Sequence, residues 1–487
     1  MYYEELSDRD RLVNSTRRFA VITRTCYLSH TEPSIDMKRL ALTLTALLGV
    51  FIAVLATRTA ALNSRQVHPP PAPAFQLDRN AIAKRLSEAI QLPTVSFESS
   101  TAANTAPFEF FHALLAQSFP QVHAQLTKEI VNGHSLLFTW PGKNQQLKAI
   151  LLMAHMDVVP VDSATGKAWT HGPFSGQLAD GYIWGRGAMD DKASLLGILE
   201  AVERLSTEGF QPTRTVYLAF GHDEEIGGNN GAAKIAATLA ARNVQLEYVL
   251  DEGMNILSGI VDGVAAPVAL IGVAEKGYLS VELSVDAAGG HSSIPPAENA
   301  IGSISRALQR LAAAPFPAKL RGPSRAMFDY LGPEMAWTKK LALANLWLFE
   351  PLVANQLTQS PLTNAILRTT LAPTLFNSGV KENVLPTQAR AVINLRIMPE
   401  ESSASALAHV RQAIDDPKVK LTPLPIRMEP SAVTDTESPS FKLIERTIRQ
   451  TASEAIVAPA LLVAATDSRH YAGLTKNILR FLPITIT

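Results

Sequence analysis

One cysteine in 487 residues, Cys26, excludes intrachain disulfides, a cysteine-built zinc site and a lipid-modified cysteine just after the apolar N-terminal segment. Charge of either sign is not in excess. The 44 basic residues balance 44 acidic ones, so nothing points to nucleic acid or a polyanionic partner, and charge-dependent chemistry must be local. Internal repeats are absent. With 47% hydrophobic and 18% charged residues the chain is not disordered overall, and its length suggests two or more domains around at least one sizeable core.

The N-terminus carries the longest uncharged run. Lys38 and Arg39 precede "LALTLTALLGVFIAVLAT", 18 residues from Leu40 to Thr57. That length fits a short spanning helix and also a signal peptide with a long apolar core. A buried globular helix ranks third, because a polar tail precedes the run and the Pro-rich "VHPPPAPAF" (Val67 to Phe75) follows it. Arg9, Arg11, Arg17, Arg18 and Arg24 lie upstream, so the positive-inside rule leaves the N-terminus in the cytosol and the bulk of the chain across the membrane. Met37 is a natural start for a signal sequence, which makes residues 1–36 an expected overextension of the gene start.

From about Leu77 the pattern is that of an α/β domain. Ile82, Leu86 and Ile90 recur at helical spacing. "KAILLMAHMDVVP" and "RTVYLAFG" are apolar runs of the kind buried on both faces of a sheet, and "SLLGILEAVERL" between them is an amphipathic helix. Strand, helix, strand predicts a mostly parallel sheet flanked by helices. "LEYVLDEG" is a further strand ending in acid. From residue 276 the pattern alternates instead. "KGYLSVELSVDA", "NAILRTTLAPT", "ARAVINLRIMP" and "VKLTPLPI" read as strands, with helices around Ile304 and from Ser402 to about Ile414. An irregular apolar insertion, "LGPEMAWTKKLALANLWLFEPL", interrupts them. The expected organisation is a tail (1–36), an anchor or signal (37–62), a linker (63–76), a catalytic body (77–275 and 428–487) and an inserted α+β lid (276–427).

Acids and one imidazole gather at the ends of the body strands, where open α/β sheets place their ligand sites. His155 and Asp157, two apart, share a strand face, so the carboxylate can fix the imidazole's tautomer and leave its other nitrogen for a metal. Asp190 follows a glycine-flexed turn at a helix start, Glu224 and Glu225 follow the next strand, and Asp251 ends the one after. One such residue is ordinarily a cap or a core histidine. Four consecutive strand ends so furnished indicate a cation. Mixed nitrogen and oxygen donors suit zinc, with manganese or cobalt as substitutes, and the carboxylates exceed the needs of one ion, which favours two ions sharing an Asp. One of the paired glutamates then binds metal while its neighbour is free to accept a proton from water.

Taken together, "AHMDVVP", "GRGAMDDK", "HDEEIGG" and "LDEG" resemble the successive motifs of the dinuclear zinc peptidases and aminoacylases of family M20. The resemblance spans roughly residues 77–487. It implies a ferredoxin-like lid on a zinc-peptidase body and two Zn2+ per subunit. His155 and Asp251 hold one ion, Asp190 bridges and Glu225 holds the second, with Glu224 as general base and Asp157 orienting His155. Neither Asp191 nor Asp223 is assigned to metal. In the lid, "GGHSSIPPAENAI" supplies His291 as an oxyanion donor to the partner subunit's site, and "KENVLPTQARAVINLR" supplies Asn383 and Arg396 to hold the substrate and its terminal carboxylate. Lid-to-lid pairing implies a homodimer. "TDSRHY" and "NILRFLPI" are most similar to the carboxypeptidase S branch.

The family completes its second zinc site with a histidine in a His-Gly-x-Asn-Glu segment after the strand resembling "RFLPITIT", and this sequence stops at Thr487, leaving that site incomplete as written. The implied activity is metal-dependent cleavage of an amide next to a free C-terminal carboxylate, on peptides or N-acyl amino acids, by a membrane-anchored or secreted enzyme. The alternative is a membrane-tethered binding or dimerisation protein that has lost turnover with that ligand.

Overall fold

The computed structural model describes residues 37–97, 105–162, 164 and 166–487. The N-terminal tail, with its arginines and Cys26, lies outside the described residues. Two units separate by contact, Met1–Val54 and Leu55–Thr487. The described part of the first belongs to helix α1 (Met37–Ala60), which is long and apolar enough to cross a membrane.

The second unit is built on a mixed sheet. Its strands are β1 (Thr127–Val131), β2 (Ser135–Trp140), β3 (Ala149–His155), β4 (Val216–Gly221), β5 (Leu246–Asp251) and β6 (Val268–Glu275). Helix α2 (Lys192–Thr207) connects β3 to β4. Alternate side chains of the central strands enter different cores, which is why these runs are apolar throughout. Leu136, Phe138, Leu218 and Phe220 pack against Leu195 and Leu199 of α2, whereas Leu137, Leu151, Met153 and Ala219 pack against Ile235 and Leu239 on the other face.

The chain then leaves this sheet for a second one. Strand β7 (Gly277–Asp286), helix α3 (Ala300–Ala313), helices α4 (Trp337–Ala344) and α5 (Leu346–Leu357), strands β8 (Thr370–Ser378) and β9 (Gln388–Ile397), helix α6 (Ser403–Ile414) and strand β10 (Lys420–Met428) follow in order. The four strands form an antiparallel sheet ordered β8-β9-β7-β10. Val281, Leu283, Ile393 and Leu395 pack with Ile304, Leu311 and Val410 of α3 and α6 on one face. Two expectations need correction. The insertion read as irregular is helical over α4 and α5, and "NAILRTTLAPT" yields a strand only from Thr370, because Pro361–Ala365 forms a helical turn.

Helix α7 (Pro439–Thr451) and strands β11 (Ile456–Leu462) and β12 (Ile478–Arg480) return to the first sheet. Its order is β1-β2-β4-β3-β5-β12-β6, with β11 parallel to β6. Strands β4, β3, β5 and β12 are parallel, so their C-terminal ends share one edge. Between β5 and β6, Arg480 donates from Nε to Glu275 Oε1 at 2.6 Å, the pair being 0% and 3% exposed. Such a pair is costly to break, because either ion alone is left buried without compensation.

Candidate active site

Strand β3 ends at His155, opposite Gly221 of β4. Asp157 therefore lies just past the strand and not within it, as the alternation argument required. Beyond His155 the chain leaves the sheet, and Val158 pairs only with Val95. Asp157 nevertheless comes back to the imidazole. His155 Nδ1 is 3.0 Å from the Asp157 carbonyl oxygen and 3.4 Å from its Oδ1. A carbonyl only accepts, so Nδ1 carries a proton and the tautomer is fixed. Nε2 faces Asp190 Oδ1 at 2.9 Å and Glu252 Oε1 at 3.5 Å.

The turn after β4 explains the sequence "HDEEIGG". Asp157 is fully buried, and its two carboxylate oxygens accept the backbone N–H groups of Glu224 and Glu225, each at 3.1 Å. Ser96 donates its hydroxyl to the same carboxylate at 2.7 Å. The glutamates open a short 3-10 turn, Glu224–Ile226, capped by Gly227 at φ 104°. Gly228 follows at φ 65°, and a Cβ there would overlap Asp467. Both glycines are needed, one for the left-handed backbone and the other also for space.

Donor atoms of His155, Asp190 and Glu225 lie within 4.8 Å of one another, and so do those of His155, Asp191 and Glu252. Three of the four residues expected to bind metal are thus brought together. Asp251 is buried beside them, but its Oδ2 accepts the Ser468 N–H at 2.9 Å. Adjacent residues at a strand end point to opposite sides, and it is Glu252 that approaches the imidazole. The sequence reading did not consider Glu252, the second acid of "LDEG", and named Asp191, the second acid of "MDD", only to leave it unassigned to metal. Asp191 is fully buried, with Oδ2 accepting the His155 N–H at 3.3 Å.

The electrostatics fit a cation. Burial disfavours the His155 imidazolium, yet the surrounding carboxylates of Asp157, Asp190 and Glu252 outweigh it and hold the pKa well above the ordinary value. Burial, with Asp190 next, pushes Glu225 up to about 7. Glu224 is raised well above the usual carboxylate range by burial and by the charges of Asp467 and Glu252. Burial and Glu252 raise Asp251 to about 6. Crowded carboxylates around one imidazole, with Nε2 facing only acceptors, form a donor set that a divalent metal ion neutralises.

The three lid residues lie elsewhere, and among the described residues their hydrogen bonds and ring contacts stay within the lid. His291 is exposed, pairs with Val384, and shares a 2.7 Å Nδ1 to hydroxyl contact with Ser293. Asn383 sits across the same ribbon, its carbonyl accepting the Ser292 N–H and its buried Oδ1 meeting no donor. Arg396 on β9 stacks on the Tyr278 ring at 4.7 Å, and burial lowers its pKa.

Residues 151–484 match the model of peptidase family M20/M25/M40. The chain belongs to this family. It is 43% identical over 409 residues to a carboxypeptidase S-like protein of Dictyostelium discoideum, covering 83% of this chain and 78% of that one. An N-fatty-acyl-amino acid synthase/hydrolase of Danio rerio is 41% identical over 430 residues, covering 86% and 81%. Among solved structures, an M20 family metallo-carboxypeptidase of Sulfolobus solfataricus superposes with a TM-score of 0.57 at 17% identity, over 83% of this chain and 91% of that one. The expected fold class holds, and the protein is a hydrolase of the M20 peptidase family. Nothing supports the non-catalytic alternative.

Proposed function

We propose that the protein hydrolyses the amide bond next to a free C-terminal carboxylate, in N-acyl amino acids or peptides, with Glu224 as general base. The observation that carries this reading is the clamp of Asp157 on the Glu224 and Glu225 amides, which sets two adjacent glutamates beside an imidazole whose Nε2 faces a ring of acids. His155, Asp190 and Glu225, with Asp251 and Glu252 at the next strand end, are the residues that would hold divalent metal, zinc by the donor set. When bound, it supplies Lewis-acid charge to an oxygen that becomes negative during the reaction.

The chain's own groups do the rest. Glu225 is the ligand of the pair and Glu224 the proton carrier. Glu224's raised pKa suits it to accept a proton from the attacking water and return it to the leaving amine. Asp157 holds the His155 ring and the glutamate turn in register. Arg396 grips the substrate carboxylate with two parallel N–H donors, Asn383 orients the amide, and His291 donates to the oxyanion, in a partner's site if the lid edge β8 pairs in a homodimer. Leu375 and Phe376 on that edge are exposed, which supports such pairing; a monomer by light scattering at all concentrations excludes it. The relatives' names support both acyl amino acids and peptides as substrates. Helix α1 serves as an anchor or signal.

The deciding experiment measures metal content by atomic emission and hydrolysis of N-acyl amino acids on the same preparation. A metal-loaded protein that hydrolyses neither these nor C-terminal dipeptides overturns the reading.

A further inference from the structure

The Pro-rich segment read as a linker is fastened to the body along α7 and is no free tether. Gln66 pairs with the edge of β11 as a neighbouring strand does: its Nε2 donates to the Val457 carbonyl at 2.9 Å and its Oε1 accepts the Val457 N–H at 2.7 Å. Arg449 of α7, 9% exposed, donates to the Val67 carbonyl and to His68 Nδ1, both at 3.0 Å. The Ala72 N–H reaches the Gln450 carbonyl at 2.8 Å. Between the segment and α7 lies a cavity of about 890 Å³, a volume in the range of small-molecule sites.

The charges lining this cavity do not cancel one another. Glu445 of α7 is 3% exposed, its Oε1 is closed off from water, and its carboxyl has no hydrogen-bond partner among the described residues. The cations near it are engaged elsewhere. Lys442 pairs with Glu437 at 2.6 Å, and Arg449 directs its donors to Val67, His68 and the Ala455 carbonyl. Burial accordingly prevails over both cations and pushes the Glu445 pKa up to about 7. On the exposed part of the lining the imbalance has the other sign. Arg65 lies over the Tyr330 ring at 5.3 Å, and neither it nor Arg446 has an acidic partner among the described residues. A buried acid without a donor is costly, so a ligand that supplies the donor is favoured. A plain cation would meet the two arginines and a plain anion would meet Glu445. Only a ligand carrying both signs satisfies the whole lining.

We propose that the cavity between α7 and the Pro-rich segment binds a free α-amino acid with an apolar side chain, its ammonium held by Glu445, its carboxylate by Arg65 and Arg446, and its side chain by Val67, Pro69 and Leu443. The arginine forks suit a carboxylate, and the charge-assisted bond to Glu445 supplies the missing donor. The site shares no lining residue with the active site and does not depend on the hydrolase reading. Under that reading its ligand is of the same class as the released amine product, so the protein carries a second place for what it makes.

The test is hydrogen exchange on the full chain with L-phenylalanine, with phenethylamine, which lacks the carboxylate, and with 3-phenylpropionate, which lacks the ammonium. The expected result is that L-phenylalanine protects the peptides covering Arg65 to His68 and Pro439 to Arg446, and that each half-ligand needs roughly 10- to 100-fold higher concentration for the same protection, the worth of one charge-assisted hydrogen bond. Glu445→Gln is expected to weaken the protection by a similar factor while hydrolysis of an N-acyl amino acid is unchanged. Arg65→Ala/Arg446→Ala alters two exposed side chains only and is expected to do the same, which keeps the test decisive if Glu445→Gln does not fold. No protection at millimolar phenylalanine, equal protection by either half-ligand, or protection that survives in the variants overturns the proposal. Protection confined to His155 and Glu224 to Gly228 shows product in the catalytic site only, and overturns it as well. An inactive protein that still shows the expected protection removes the hydrolase reading and leaves this site standing.

Discussion

Asp157 binds Glu224 by its backbone and not by its side chain: Oδ1 accepts the Glu224 N–H at 3.1 Å while Oδ2 serves Glu225 in the same way. A buried carboxylate thus fixes the position of two others without neutralising either. Asp157→Asn keeps the shape but turns one acceptor into a donor facing an N–H. The expected cost is about 1–3 kcal/mol of stability, read from urea unfolding, with a fall in kcat larger than any change in KM. Unchanged stability and kcat would show that the clamp is incidental.

Glu224→Gln is expected to retain metal and fold while kcat falls by roughly 10²–10⁴, the usual contribution of a general base. Metal analysis and hydrolysis of an N-acyl amino acid on the same sample check this. Full activity with normal metal content rules out the assigned role.

Arg396→Lys replaces a planar fork with a single point charge. The expected loss is about 1.5–3 kcal/mol in kcat/KM for substrates with a free carboxylate, and little for the corresponding carboxamides. Comparing the two substrate types on both proteins decides the matter. An equal loss on both means that Arg396 supports the lid and does not read the carboxylate.

Lys276, 2% exposed where the chain enters the lid sheet, donates from Nζ to the Ala365 and Arg368 carbonyls at 2.9 and 2.8 Å. Burial pulls its pKa down to about 7. Between pH 7 and the unfolded value of roughly 10.4 the unfolded chain binds a proton that the folded chain does not. Stability contributed through this group is therefore reduced below pH 7 and rises with pH across that window. In Lys276→Met the slope of unfolding free energy against pH is expected to fall by about one proton between pH 7 and 10. Urea midpoints across that range check it, and an unchanged slope shows that Lys276 is charged in the fold.

Much of this was legible in the residues. Apolar runs such as "TVYLAF" announced strands buried on both faces because their two sides enter two different cores. The acids pointed to one shared site because four strand ends carried them, and donor atoms of His155, Asp190 and Glu225 do lie within 4.8 Å of one another. Other features depended on tertiary geometry. His155 ends its strand because β4 stops pairing there, and Glu252 approaches the imidazole while Asp251 accepts the Ser468 N–H. Helices α4 and α5 were hidden by Gly332, Pro333 and Pro351, which break the local pattern, and by an outward apolar face that reverses the usual amphipathic sign.

The buried pair of Glu275 and Arg480 has a consequence for how the molecule is made. Arg480 follows Glu275 by 205 residues. At a synthesis rate of about 5–20 residues per second, Glu275 waits roughly ten to forty seconds for its cation. During that interval β5 and β6 have no β12 between them, and the gap in the middle of the sheet stays open. The nascent body is thus an unfinished sheet with two unpaired internal edges and an uncompensated acid, and it closes only when β12 has left the ribosome.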